Sequence, residues 1–219
     1  MAEEQPPAPL AGTLTACAAV LLAFAAALHA LTGGFEHWTF EDTRRDHARQ
    51  GRLAASALSV RTAQSTSRLL WAQPAKANDV YLVNFIYTAC PSVCQTLGAE
   101  YTQMQQAIAA QGGSVHRPIQ LVSLSFDTEH DGPAQLAAHA RLHRADSSVW
   151  TIAAPAGQAD AARLLRELGV VVVPDGIGGY VHNGSIHMMN AAGKVLAIYD
   201  DAEWKEALAL AVSVAPAAP

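Results

Sequence analysis

Phosphate loops, dinucleotide fingerprints and a nucleophile elbow with its Asp and His partners are all missing from this chain, which sets hydrolase and kinase chemistry aside. It also lacks a basic block: 14 Lys and Arg stand against 19 Asp and Glu, for a net charge of −5. Nucleic acid is therefore excluded as a partner, because duplex binding rests on clustered cations facing phosphate. Cysteine is scarce, with three in 219 residues, enough for one disulfide at most. No internal repeat is evident.

What the chain has is apolar substance, 51% of its residues, enough for one ordinary domain plus an appendage. From Ala8 to Thr32 it runs Ala- and Leu-rich without an Asp, Glu, Lys or Arg side chain. Such a stretch is long enough to span a bilayer as a helix and reads as an N-terminal membrane anchor. The head before it has no positive region and no cleavage site follows, which argues against a secretory signal. Leu14-Thr15-Ala16-Cys17 imitates a lipoprotein cleavage box, but the apolar run follows the cysteine instead of preceding it. Orientation is contested by charge: Glu3 and Glu4 precede the anchor and Arg44, Arg45, Arg49 and Arg52 follow it, which by the positive-inside tendency favours a cytoplasmic C-terminal part.

The chemistry concentrates in VYLVNFIYTACPSVCQ, Val80 to Gln95. Val80–Tyr87 is β-branched and aromatic enough for a buried strand, and Thr88, Ala89 and Pro91 read as the turn into a helix. Cys90 and Cys94 thus stand at a helix N-terminus, where unpaired N–H groups and the helix dipole favour thiolate. At i, i+4 the two sulfurs share a face, so they can close a disulfide or clamp a soft metal such as Cu(I). Two inert buried cysteines are the bland alternative.

Around this motif the pattern alternates. A helix is expected from Ser92 to Gln111 with a Gly112-Gly113 stop, a strand over Ile119–Phe126, a helix over Pro133–His143, a strand over Val149–Ala153 and a helix over Gln158–Leu168. Then come an apolar run Val170–Val173, a glycine-rich loop, strands Ser185–Asn190 and Val195–Tyr199 about the turn at Gly193, and a last helix Ala202–Val212. Alternating β and α units that end in a hairpin and helix give an α/β fold: a thioredoxin-like mixed sheet flanked by helices, with an N-terminal transmembrane helix. Residues 1–33 are the anchor, 34–78 a stalk and lead-in, 79–213 the thioredoxin-like domain and 214–219 a disordered tail.

A dithiol reductase of that topology has two residues between its cysteines and a cis-proline facing them. This chain has three between Cys90 and Cys94, and no proline between Pro174 and Gly193. The loop Asp175–Gly184 instead holds four glycines and His182, placed just before the hairpin strand and directed at the cysteine turn. Two thiolates and one imidazole suit Cu(I), and an added ligand would admit Cu(II); zinc would want a fourth protein ligand. His187, Met188 and Met189 follow on the strand, with His187 a reserve ligand and the methionines core. His139 and His143 share a helix face at a metal-capable spacing but read as a solvated pair. Asp127, at a strand end, either supports the site or caps the next helix.

Four pieces together carry a family resemblance: FIYTACPSVC, the segment VSLSFDTEHDGP with Asp127 and Asp131, His182, and the hairpin turn at Gly193, eleven positions later. In this order the chain resembles the Sco/SenC family of membrane-anchored copper proteins required for cytochrome c oxidase assembly, over roughly Val80 to Asp200. The resemblance implies Cys90, Cys94 and His182 as copper ligands and delivery of Cu(I) or Cu(II) to the dinuclear copper site of cytochrome c oxidase subunit II. Its alternative is thiol–disulfide reductase action by Cys90 and Cys94 on an exported acceptor. The resemblance also implies a single-pass inner-membrane protein with its soluble domain in the periplasm, against the arginine pattern. Val181 departs from the acidic residue the family usually has before the histidine, and Gln95 from its second proline.

Overall fold

A computed structural model describes residues 10–72, 79–90, 93–110 and 119–214, with the side chains of 93–96 outside that description. Glu3, Glu4, Pro74, Pro91, Ser92, Gly112-Gly113 and the 215–219 tail lie outside the described residues, as do the side chains of Cys94 and Gln95. The chain divides into two compact units, Met1–Asp46 and His47–Pro219.

In the first unit, helix α1 covers Leu10–Leu31 with no Asp, Glu, Lys or Arg in its 22 residues. At about 1.5 Å per residue it is roughly 33 Å long, sufficient to cross a hydrocarbon core of about 30 Å. Its large apolar side chains are exposed, among them Leu14, Val20, Leu22 and Phe24. Helix α2, Phe40–Arg49, begins with a reciprocal cap: Thr39 N–H donates to Asp42 Oδ2 and Asp42 N–H to Thr39 Oγ1, both at 3.0 Å.

The second unit is built on a seven-stranded sheet, ordered β2-β1-β5-β4-β3-β8-β9. Its strands are β1 (Leu58–Thr62), β2 (Ser67–Leu70), β3 (Val80–Ile86), β4 (Ile119–Ser125), β5 (Trp150–Pro155), β8 (Ile186–Asn190) and β9 (Val195–Tyr199). A separate ribbon pairs β6 (Val172–Pro174) antiparallel with β7 (Tyr180–His182). Strands β3, β4 and β5 run parallel, and β8 lies antiparallel against β3 with Val83 opposite His187. The alternating pattern therefore produced the mixed sheet it predicts. Strands β1 and β2 fall in the stretch read as lead-in and extend the sheet beyond β5.

Strand alternation divides the core into two layers. Leu82 and Ile86 of β3, Leu121 of β4 and Trp150 of β5 face α3 (Val93–Ala110), α4 (Pro133–Leu142) and α6 (Trp204–Val214), meeting Leu97, Tyr101, Leu136 and Leu208. The indole of Trp150 is satisfied there: Nε1 donates to Ser123 Oγ at 2.9 Å, which donates to Asn84 Oδ1 at 2.7 Å. On the other face Val83, Phe85 and Tyr87, with Leu124 and Phe126, meet Leu164 and Leu168 of α5 (Gln158–Leu168). Each such large apolar side chain contributes about 1.5–3 kcal/mol by leaving water. Between β8 and β9 the turn needs Gly193: φ is +82°, and a β-carbon would fall 2.1 Å from the Ala55 carbonyl oxygen.

Candidate metal centre

The parallel strands end together, and the loops beyond their C-terminal ends form the site, where open α/β sheets bind ligands. Past Ile86 the chain turns through Tyr87 to Cys90, with Cys90 N–H donating to the Tyr87 carbonyl at 3.2 Å. Cys90 is half-buried and packs on the layer that holds Tyr87 and Phe126. Helix α3 starts at Val93, so Cys94 occupies its first turn as the sequence predicts.

One carboxylate fixes this turn. Asp131 is 1% exposed, and its Oδ2 accepts from Thr88 N–H at 2.8 Å and from Ser125 Oγ at 2.5 Å, while Oδ1 accepts from Thr88 Oγ1 at 2.5 Å. The backbone two residues before Cys90 is thereby tied to β4 and the loop after it. Asp127 has another role: its Oδ1 meets His130 Nδ1 at 2.8 Å, a contact that raises the His130 pKa. The N-cap of α4 is Gly132, so Asp127 does not cap that helix.

His182 arrives on the ribbon. The loop joining β6 and β7 is drawn tight by Asp175, whose Oδ1 accepts from Ile177 N–H at 2.9 Å and Gly179 N–H at 2.8 Å. A β-carbon on Gly179 would meet Asp175 Oδ2 at 2.5 Å and the Tyr87 hydroxyl at 3.0 Å, so the loop approaches the cysteine turn with no side chain between them. Tyr180 N–H donates to that hydroxyl at 3.3 Å. The rings of Tyr87 and Tyr180 meet at 5.2 Å, and Phe126 meets Tyr87 at 5.6 Å, Tyr180 at 5.4 Å and the His182 imidazole at 5.3 Å. Alternation along β7 puts Tyr180 and His182 on this aromatic side and leaves Val181 exposed.

The sequence-predicted imidazole and the turn bearing Cys90 are thus joined through one aromatic cluster. Burial lowers the His182 pKa, which leaves a neutral ring with a lone pair to donate. Its Nδ1 is buried and has no hydrogen-bond partner. Among the described residues no group of three His, Cys, Asp or Glu side chains converges, a search that omits the Cys94 side chain.

The neighbouring candidates serve the core. His187 is fully buried, edge-on to Phe85 at 5.4 Å, with Nδ1 3.2 Å from the Ser185 carbonyl. Met188 and Met189 are buried on opposite layers. His139 and His143, expected in solvent, are instead enclosed between α4, α3 and Trp150. Sequence reasoning missed the β6–β7 ribbon, whose three-residue strands are too short for a periodicity, and the aromatic cluster, whose members lie far apart in the chain.

Sheet order, the cysteine-bearing turn after the first central strand and the helices on both faces define a thioredoxin-like α/β domain. The family model described as SCO1/SenC matches residues 71–215, and the chain belongs to that family. A SCO1 protein homolog of Bacillus subtilis (strain 168) is 27% identical over 127 residues, which span 57% of this chain and 64% of that protein, under two thirds of the relative's length. Among solved structures, a SCO1/SenC family lipoprotein from Bacillus anthracis str. Ames superposes with a TM-score of 0.64 at 18% identity, covering 75% of this chain and 96% of the other. Arabidopsis thaliana ScoI, solved with copper bound, gives 0.59 at 12% identity, with coverages of 73% and 98%. Bradyrhizobium japonicum ScoI, also with copper bound, gives 0.57 at 18%, with coverages of 74% and 99%. At these identities the structural likeness is one of fold.

Proposed function

We propose that this protein is a membrane-anchored copper chaperone that binds one copper ion through Cys90, Cys94 and His182 and passes it to the dinuclear copper site of cytochrome c oxidase subunit II. The observation that carries the reading is the His182 Nδ1, enclosed without a partner on a ring that shares its aromatic cluster with the Cys90 turn. A buried nitrogen left unpaired is costly, and a soft cation held by two thiolates would satisfy it. Family membership and the copper held by two relatives support the choice of metal. One further solved relative is described as a member of the Sco family of cytochrome c oxidase assembly proteins, which supports the choice of acceptor.

In this reading copper is cargo. Thiolates hold Cu(I) firmly yet exchange it by ligand substitution, and the half-buried Cys90 offers an approaching acceptor thiolate a point of entry. Residues 1–33 tether the domain to the inner membrane through α1, with residues 79–213 in the periplasm. Alkaline extraction of membranes checks the tether: the full chain should stay in the pellet, and release into the supernatant would count against it.

Anaerobic Cu(I) titration of the chain and its His182→Ala variant tests the ligand set. Copper affinity should drop by about tenfold or more while a Cys90–Cys94 disulfide still forms; unchanged affinity would overturn the assignment. The second reading, a thiol–disulfide reductase cycling Cys90 and Cys94, rests on Cys94 in the first turn of α3 with Cys90 in the turn before it. Full-rate reduction of a disulfide substrate by copper-free His182→Ala protein would favour it.

A further inference from the structure

Aromatic exposure in this chain is confined to one short stretch. Of its five Phe and four Trp side chains, the exposed ones are Phe24 within α1 and then Phe35, Trp38 and Phe40 directly after it, while the others are buried or half-buried in the second unit. Phe35, Trp38 and Phe40 are 44%, 64% and 61% exposed, an apolar patch that water alone would disfavour. The turn presenting them is ordered by its own hydrogen bonds. Thr32 Oγ1 donates to the Leu28 carbonyl at 2.7 Å and accepts from Phe35 N–H at 2.9 Å. Phe35 is thereby held at a φ of +68°, a left-handed backbone that bulky side chains rarely adopt and that tends to mark a functional position. Its ring meets His29, in the last turn of α1, edge-on at 5.5 Å and stacks on Trp38 at 5.9 Å with 26° between the planes. Trp38 Nε1–H donates to the Phe35 carbonyl at 2.8 Å, so the indole is satisfied within the turn and needs no outside acceptor.

We propose that Phe35, Trp38 and Phe40 form an aromatic collar that seats in the headgroup layer of a zwitterionic bilayer and fixes the depth at which α1 stands. The collar rests on the reading of α1 as a membrane span. That helix fills the hydrocarbon core by its length, so the chain leaving Leu31 enters the polar layer, about 5–8 Å thick on each side, within the next few residues. Amphipathic rings collect in that layer. Charge selects the lipid. Residues 35–46 carry Glu36, Glu41, Asp42 and Asp46 against Arg44 and Arg45, and Glu41 already pairs with both arginines, at 2.6 and 3.5 Å. The stretch is net acidic, so an anionic leaflet adds no attraction and the rings supply the binding. Because Phe35 is tied to α1 through Thr32 and His29, the helix cannot slide along the membrane normal without dragging the rings into hydrocarbon or out into water.

The test uses the full chain reconstituted in phosphatidylcholine vesicles whose acyl chains carry bromine either near the glycerol end or near the methyl end. Subtracting the emission of a Trp38→Leu variant isolates the Trp38 component. That component should lose at least about twice as much intensity to the shallow bromines as to the deep ones. Adding anionic phosphatidylglycerol should leave the ratio unchanged. Quenching at neither depth, stronger quenching by the deep bromines, or a ratio that rises with anionic lipid would each overturn the proposal. Should Trp38→Leu disturb folding by circular dichroism, Trp38→Phe, which keeps a ring, takes its place in the subtraction. A chain that stays in the pellet on alkaline extraction while its Trp38 remains open to iodide in the aqueous phase overturns the collar and leaves the tether standing. Release into the supernatant overturns both.

Discussion

Replacing Asp131 by Ala should loosen the cysteine turn and destabilise the domain together. The carboxylate is 1% exposed and accepts three hydrogen bonds, two from Thr88 and one from Ser125. Hydrogen bonds to a charged group contribute about 1.5–3 kcal/mol each, and they do not add fully because the removed charge is no longer held out of water. The two hydroxyls can turn to new partners or to water, whereas Thr88 N–H is left with the most to lose. A net cost of about 3–4 kcal/mol follows. For a compact unit of this size each kcal/mol moves Tm by about 2–4 °C, so the melting point should fall by about 6–16 °C. Asp131→Asn keeps one oxygen for the Thr88 N–H and lets the Thr88 hydroxyl accept from the new amide, so it should lose about 1–2 kcal/mol. Scanning calorimetry of apo protein measures both, and Cu(I) affinity reports the turn. An Ala variant that melts within a degree of the parent, or Asn and Ala variants that melt alike, would refute the reasoning.

Three further outcomes are expected. Burial pushes the His139 pKa down to about 4 from 6.5, so its contribution to stability is complete above pH 6.5 and is lost as pH falls towards 4. The linked loss is about 3 kcal/mol at pH 4, read by urea denaturation of apo protein across that window, and His139→Leu should flatten the curve there. Gly193→Ala forces a β-carbon onto the Ala55 carbonyl at positive φ and should cost about 2–4 kcal/mol by the same denaturation assay. Tyr87→Phe removes the hydroxyl that accepts from Tyr180 N–H and should cost about 1 kcal/mol, with faster amide exchange at Tyr180 as its local signature.

Much of the sheet was legible because its central strands are long, apolar runs with abrupt ends. Val80–Ile86 and Ile119–Ser125 fall where the β-branched runs lie, and the hairpin about Gly193 announces itself by its turn residues. Strands β1 and β2 were hidden because little of them is buried on both faces: in β1 Ser59 is exposed between buried Leu58 and Val60, in β2 only Leu70 is buried, and the stretch reads as polar. His139 and His143 misled for a related reason. Helix spacing says which residues share a face but not what covers it, and the cover here is a glycine on α3 and an indole on β5. Cys90 and His182 were singled out in the sequence by residue type and position. What brings them into one neighbourhood, the Tyr87, Phe126 and Tyr180 rings, becomes visible only when β3, β4 and the ribbon lie side by side.

The β6–β7 ribbon also imposes an order on maturation. It sits between α5 and β8 in the chain, and its Tyr180 and His182 rest on Tyr87 and Phe126, so β3 and β4 must be paired before the ribbon has a floor. A nascent or truncated polypeptide ending ahead of His182 would display its thiols with no imidazole from the ribbon beside them, open to oxidation and to stray ions. If His182 is a copper ligand as proposed, loading waits until the ribbon has emerged and folded.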